Sequence, residues 1–125
     1  MENGTSNLID LREALDRLDD DMGLYMILVD AFLQDTVFKD ERLRELEVAF
    51  RRSNSKESLE AAQYIHRLKG AARQLGANPL AAEAQKLEDI FRNKGTVNLQ
   101  DTERLVEVIL DLHKKTVEEL RKLSQ

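Results

Sequence analysis

The 125-residue chain contains no cysteine and no tryptophan, and it has one proline, five glycines and two histidines. Without cysteine the fold owes nothing to disulfides and can hold no thiolate metal site, which suits a reducing compartment, so a cytoplasmic location is expected. No apolar run approaches the ~20 residues that span a bilayer. The opening segment, Met1 to Asn7, lacks the charged-then-apolar pattern of an export signal. No membrane association is expected. Basic residues number 19 against 24 acidic ones, a net charge of −5. That leaves no cationic surplus to displace counterions from a phosphate backbone, so nucleic acid is not an expected partner. A glycine-rich phosphate loop with its lysine, a Glu-x-x-His pair and a His-Glu-x-x-His pair are all missing. The chain therefore reads as neither an enzyme with its own ATP site nor a metal protein, and no cofactor of its own is expected.

What the chain does have is charge and helical periodicity. A content of 34% charged and 5% aromatic residues, with no strand signals, describes an all-α bundle. The length suits a single domain over residues 1–125. Residues 1–7 read as a tail. Leu8, Leu11, Leu15 and Leu18 recur at helical spacing and predict a short accessory helix over 8–18. The run Asp19-Asp20-Asp21 interrupts it, and Asp21 is placed to cap the next helix. From Met22, the residues Leu24, Leu28, Phe32, Val37, Leu43, Leu46 and Phe50 predict one helix of roughly 30 residues, with an irregularity near Thr36-Val37. Ser53-Asn54-Ser55 ends it. Asn54 and Glu57 form a capping box for a further helix that stops at Gly76. Asn78 as cap and Pro79 in the first turn announce the next, which finishes at Gly95, and Asn98 caps the last. Short connections make neighbouring helices antiparallel. The expected architecture is an up-and-down antiparallel four-helix bundle over 22–124 with a short N-terminal accessory helix.

Chemistry has few places to sit. On the helix ending at Gly76, the residues Ala61, Ile65, Leu68, Ala72 and Leu75 form the core stripe. His66 lies about 140° from the centre of that stripe and shares its face with Ala62, Lys69, Gly70 and Arg73. A solvent-facing histidine follows, with an inert surface residue as the competing reading. Gly70 costs ~1 kcal/mol relative to alanine inside a helix. One turn beyond His66, its missing side chain opens the approach to the imidazole, and small Ala62 one turn before widens the clearing. Packing of another helix is the bland alternative. His113 sits about 50° from the centre of its own apolar stripe, where a partly buried structural role is expected.

The segment His66-Arg67-Leu68-Lys69-Gly70, with Leu75-Gly76-Ala77 trailing it, resembles the His-x-Leu-Lys-Gly signature of histidine phosphotransfer domains. Leu80, Leu87 and Glu88 also fall where that family places a leucine and then a Leu-Glu pair, and the likeness in helix order covers roughly residues 8–120. One departure is Ile65, where the family often has alanine; its place on the core side makes it tolerable. The resemblance implies a phosphorelay intermediate. His66 would accept a phosphoryl group from a kinase or a phosphorylated receiver domain and pass it to a receiver aspartate, and an imidazole that is largely neutral at pH 7 is a competent nucleophile. Mg²⁺ would be held by the receiver rather than by this chain. Implied partners are response-regulator receiver domains and a hybrid sensor histidine kinase, with the chain acting as a monomeric carrier.

Supporting residues follow by folding the two central helices about their turn at Ala77, which brings His66 and Glu88 level. In the family a Glu or Gln there can orient the imidazole, and Glu88 is the candidate. Lys69 belongs to the signature and would offset phosphoryl charge, with Arg73 and Arg92 adding to the field on the partner-binding face. Ala62 and outer apolar residues of the first helix, Ile9 among them, are expected to line a receiver-docking patch. Two other readings remain open: a receiver-binding adaptor that carries no phosphate, and a structural helical interaction module.

Overall fold

The computed structural model describes residues 7–52, 55–92 and 99–124. Every regular element among them is an α-helix: α1 Leu11–Asp16, α2 Met22–Leu33, α3 Asp40–Arg51, α4 Ser55–Gln74, α5 Asn78–Phe91 and α6 Leu99–Leu123. The expected tail and the caps and stops assigned to Asn54, Gly95 and Asn98 lie outside the described residues or rest on side chains outside them.

The long helix expected from Met22 is two helices, and local chemistry explains the break. Asp35 turns its carboxylate back onto the Val37 amide at 2.9 Å, a side-chain bond that competes with continuation of the helix. Beyond it, the Tyr64 hydroxyl on α4 accepts from the Lys39 amide at 2.6 Å and donates to the Val37 carbonyl at 2.9 Å. Phe38 stacks on the same tyrosine, ring centroids 5.7 Å apart. The bend thus has its polar backbone satisfied from a neighbouring helix, as a non-helical segment against the core requires.

Helices α3 to α6 form a closed ring, α3 against α4, α4 against α5, α5 against α6, and α6 back against α3. Level pairs show that neighbours run antiparallel: Arg42 meets Glu60, His66 meets Glu88, and Glu47 accepts from Thr102 at 2.6 Å. Leu43, Leu46, Ile65, Leu87 and Ile109 are buried between them, and Phe50 and Phe91 meet edge to face at 5.1 Å across the middle. His113 packs on Phe38 and Phe32, at 4.6 and 5.6 Å. Burial holds its imidazole below the usual range, against the opposing charges of Asp40 and Asp35; it is structural, as its wheel position implied.

A second core closes one end of the bundle, built from Ile9, Ala14, Tyr25, Val29, Leu75 and Leu120. The first helix is shorter than expected, beginning after the Asp10 cap, whose side chain accepts from the Glu13 amide. Asp21 caps α2 through the Leu24 amide, as expected. Asn78 does not cap α5; Ala77 is the capping residue, and the Asn78 amide instead donates to Glu13 at 2.9 Å. Tyr25 donates to the Leu75 carbonyl at 2.7 Å, and burial pushes its phenol up to about 12.

Gly76 ends α4 with φ +75°. A Cβ there would overlap the Asp10 carbonyl oxygen, while the Gly76 carbonyl accepts from the Asp10 amide at 2.8 Å. Left-handed backbone costs an ordinary residue ~1–2 kcal/mol before any clash. Gly76→Ala is therefore expected to destabilise by more than about 2 kcal/mol, read as a fall in the thermal midpoint with helical content retained at low temperature. An unchanged midpoint would show that α1 gives way at no cost.

Candidate functional site

Helix α4 is gripped on two sides, by α3 and by α5. Ile65 and Leu68 point into the bundle and are buried, so the expected tolerance of Ile65 has a simple basis in its core position. The next residue around the helix, His66, emerges at the surface with its side chain 58% exposed.

Its ring is held from the α5 side. Nδ1 lies 3.0 Å from Glu88 Oε2, level across the α4/α5 pair. Glu88 is buried, which alone would raise its carboxyl, but hydrogen bonds from Lys69, Arg92 and His66 outweigh burial and hold it at about 2. An ionised carboxylate has no proton to give. The proton in the contact must therefore sit on Nδ1, and in the neutral ring Nε2 keeps its lone pair on the exposed side. That is the tautomer required for nucleophilic attack through Nε2.

Four further side chains complete the cluster. Lys69 Nζ is 2.7 Å from Glu88 Oε1 and donates to Gln85 Oε1 at 3.0 Å. Arg92 Nε donates to Glu88 Oε2 at 2.9 Å. Gln85 in turn donates to Asp89 at 2.9 Å. Two cations thus share one carboxylate beside an exposed imidazole.

Several expectations need correction. Lys69 is not a free cation beside Gly70: its side chain is 9% exposed and engaged by Glu88. Ala62 lines no clearing, being fully buried at 0% exposure. Both were placed by a wheel that sees a single core stripe, whereas α5 covers a second flank of α4. Ile9 is also not a docking residue. It is 5% exposed and belongs to the end core with Tyr25 and Leu75.

Gly70 stands where the sequence placed it, exposed, with no heavy atom within 4 Å of where a Cβ would be. Arg73 is exposed and reaches Gln85 only at 3.4 Å. Gln85 is not among the residues expected from the sequence, although the count from Ala77 that pairs His66 with Glu88 also pairs Lys69 with Gln85, each eight positions away.

A family model described as "Hpt domain" matches residues 28–123, and the chain belongs to the Hpt domain family. Proteins of this family are phosphocarrier modules of two-component phosphorelays that interact with kinase and receiver domains. No curated protein and no solved structure matches the chain. No described helix is long and apolar enough to cross a membrane.

Proposed function

We propose that His66 is the phosphoacceptor, taking a phosphoryl group from a phosphorylated receiver domain or a hybrid sensor kinase and passing it to a receiver aspartate. The observation that carries this reading is the exposed imidazole whose Nδ1 is fixed by Glu88 at 3.0 Å. Nε2 attacks phosphorus, the P–O bond to the donor aspartate breaks, and that aspartate leaves as a carboxylate. The ring then carries phosphate on Nε2 and a proton on Nδ1, and Glu88 compensates the positive charge that develops on it. Passing the group onward reverses these steps on a second receiver.

Within this reading Mg²⁺ belongs to the receiver's acidic site, where it neutralises phosphoryl oxygens. The cytoplasm is the proposed setting and a monomer the proposed form. The test is to incubate the protein with phosphorylated candidate receivers and locate the label by mass spectrometry. Acid-labile phosphate on His66 is expected; label confined to any other residue would refute the assignment.

Gly70 gives an independent check. Nothing stands where its side chain would go, so Gly70→Gln should fit and gain up to ~1 kcal/mol of helix propensity. Transfer from a phosphorylated receiver should nonetheless fall about tenfold or more, because the new side chain occupies the approach to His66. A more stable protein with parental transfer kinetics would show that the opening is not used.

A further inference from the structure

Helix α2 is apolar on two faces. Tyr25 and Val29 are buried in the end core, while Leu24, Ile27, Leu28 and Ala31, at helical spacing, form a second stripe that stays half-buried or exposed. Ile27 is 64% exposed. Between this helix and α4 runs a groove of about 170 Å³, with Leu28, Ala31 and Phe32 on one wall and Arg67, Leu68 and Ala71 on the other.

Two polar struts cross that gap. At one end Tyr25 donates to the Leu75 carbonyl at 2.7 Å. At the other, Arg67 donates to Asp35 through both guanidinium nitrogens, at 2.9 and 3.1 Å. Arg67 follows His66 directly in the chain, one helical step of about 100° around α4, so this strut lies on the flank of α4 next to the one that carries the imidazole. Tyr64 already secures the backbone of Val37 and Lys39, which lies past the bend. Asp35 is the tether on the α2 side of it, and the forked pairing fixes direction as well as distance. Arg67 is itself exposed, so screening keeps its contribution to overall stability small. Its geometry is the informative property.

We propose that the Asp35–Arg67 pair is a positioning latch that holds the apolar stripe of α2 in register with His66 and so sets how well a receiver domain docks for transfer. The docking half rests on the phosphotransfer reading above; the geometric half does not. The pair touches no reacting atom, so it acts on approach and not on the nucleophile.

The absence of cysteine in the chain allows clean spin labelling of Asp30→Cys on α2 and Gln63→Cys on α4, both exposed positions. The parent should give one narrow distance distribution. Asp35→Asn, whose amide oxygen can still accept from the Val37 amide, and Arg67→Gln should each broaden it, with helical content unchanged. In receiver transfer the single variants should raise KM about tenfold, the size of an ordinary coupling between sites, and leave kcat near the parental value. Phosphoramidate, which labels an imidazole with loss of ammonia and needs no docking, should label parent and variants at equal rates.

Identical distance distributions in the parent and both single variants would overturn the latch, as would an unchanged KM in both. Phosphoramidate labelling that falls in parallel with receiver transfer would place the pair in the chemistry of the imidazole and overturn it equally. A parent that accepts no phosphate from any receiver refutes the phosphotransfer reading and with it the docking half, while the distance data decide the geometric half.

Discussion

His66→Gln is expected to abolish phosphoryl acceptance while leaving the bundle intact. The chain holds one other histidine, and His113 is half-buried against Phe32 and Phe38, in a structural contact unlike the exposed, Glu88-oriented ring of His66. Transfer should therefore fall to background and not merely slow. Stability should change little, since the His66 side chain is mostly in solvent and Glu88 keeps Lys69 and Arg92 as partners when the ring is gone. A surface change of this kind shifts stability by about ±0.5 kcal/mol. The decisive measurement pairs a thermal melt with acid-labile labelling by a phosphorylated receiver. Retained labelling in a folded His66→Gln protein would sink the proposal.

The helical class, the stop at Gly76, the cap at Asp21 and the exposure of His66 are all legible in the sequence, because each depends on local geometry. Gly76 is a left-handed position that excludes other residues, and Asp21 bonds an amide three residues away. His66 is offset from a strong core stripe. Three to four residues of context suffice for such features. The break between α2 and α3 was only hinted at. Apolar spacing runs across Thr36-Val37 without a gap, and part of what stops the helix is a hydroxyl from Tyr64, 25 to 27 residues away.

Burial at the site was harder to read for a related reason. A helical wheel ranks the faces of one helix but does not know how many neighbours cover it. α4 is covered by α3 along its apolar stripe and by α5 along a polar flank, so Ala62 and Lys69 are buried on a side that looks solvated. Ile9 shows the converse error, an apolar residue outside the four-helix pattern that seemed free. The small end core with Tyr25, Leu75 and Leu120 takes it in. The pairing of His66 with Glu88, in contrast, follows from counting outward from the turn, since antiparallel helices keep their register over a few turns.

Glu88→Ala is expected to destabilise the protein by about 3 kcal/mol at neutral pH, the lower end of the range for removing one partner from a buried ion pair. The carboxylate balances a Lys69 ammonium that is nearly as buried as itself. Without it, Lys69 keeps only the Gln85 carbonyl, while Arg92 is free to swing into solvent. The lowering of the Glu88 carboxyl from 4.5 to about 2 by Lys69, Arg92 and His66 points in the same direction, since it marks the ionised form as favoured by folding. The sign fixes the pH window. A carboxyl with a depressed folded-state value adds stability that is fully present above its unfolded value near 4.5 and is lost as pH falls towards 2. The stability gap between parent and Glu88→Ala should therefore be constant near neutrality and shrink across that window in acid. Glu88→Gln separates the two roles of the residue. Its amide oxygen can still accept from Nδ1 and keep the tautomer, so transfer should stay within a few-fold of the parent even though Lys69 loses its counter-charge and stability drops. Glu88→Ala loses both, and transfer should fall about tenfold or more, as for lost orienting partners of other reactive imidazoles. Equal transfer by the alanine and glutamine variants would show that Glu88 serves Lys69 alone and leaves the imidazole to orient itself.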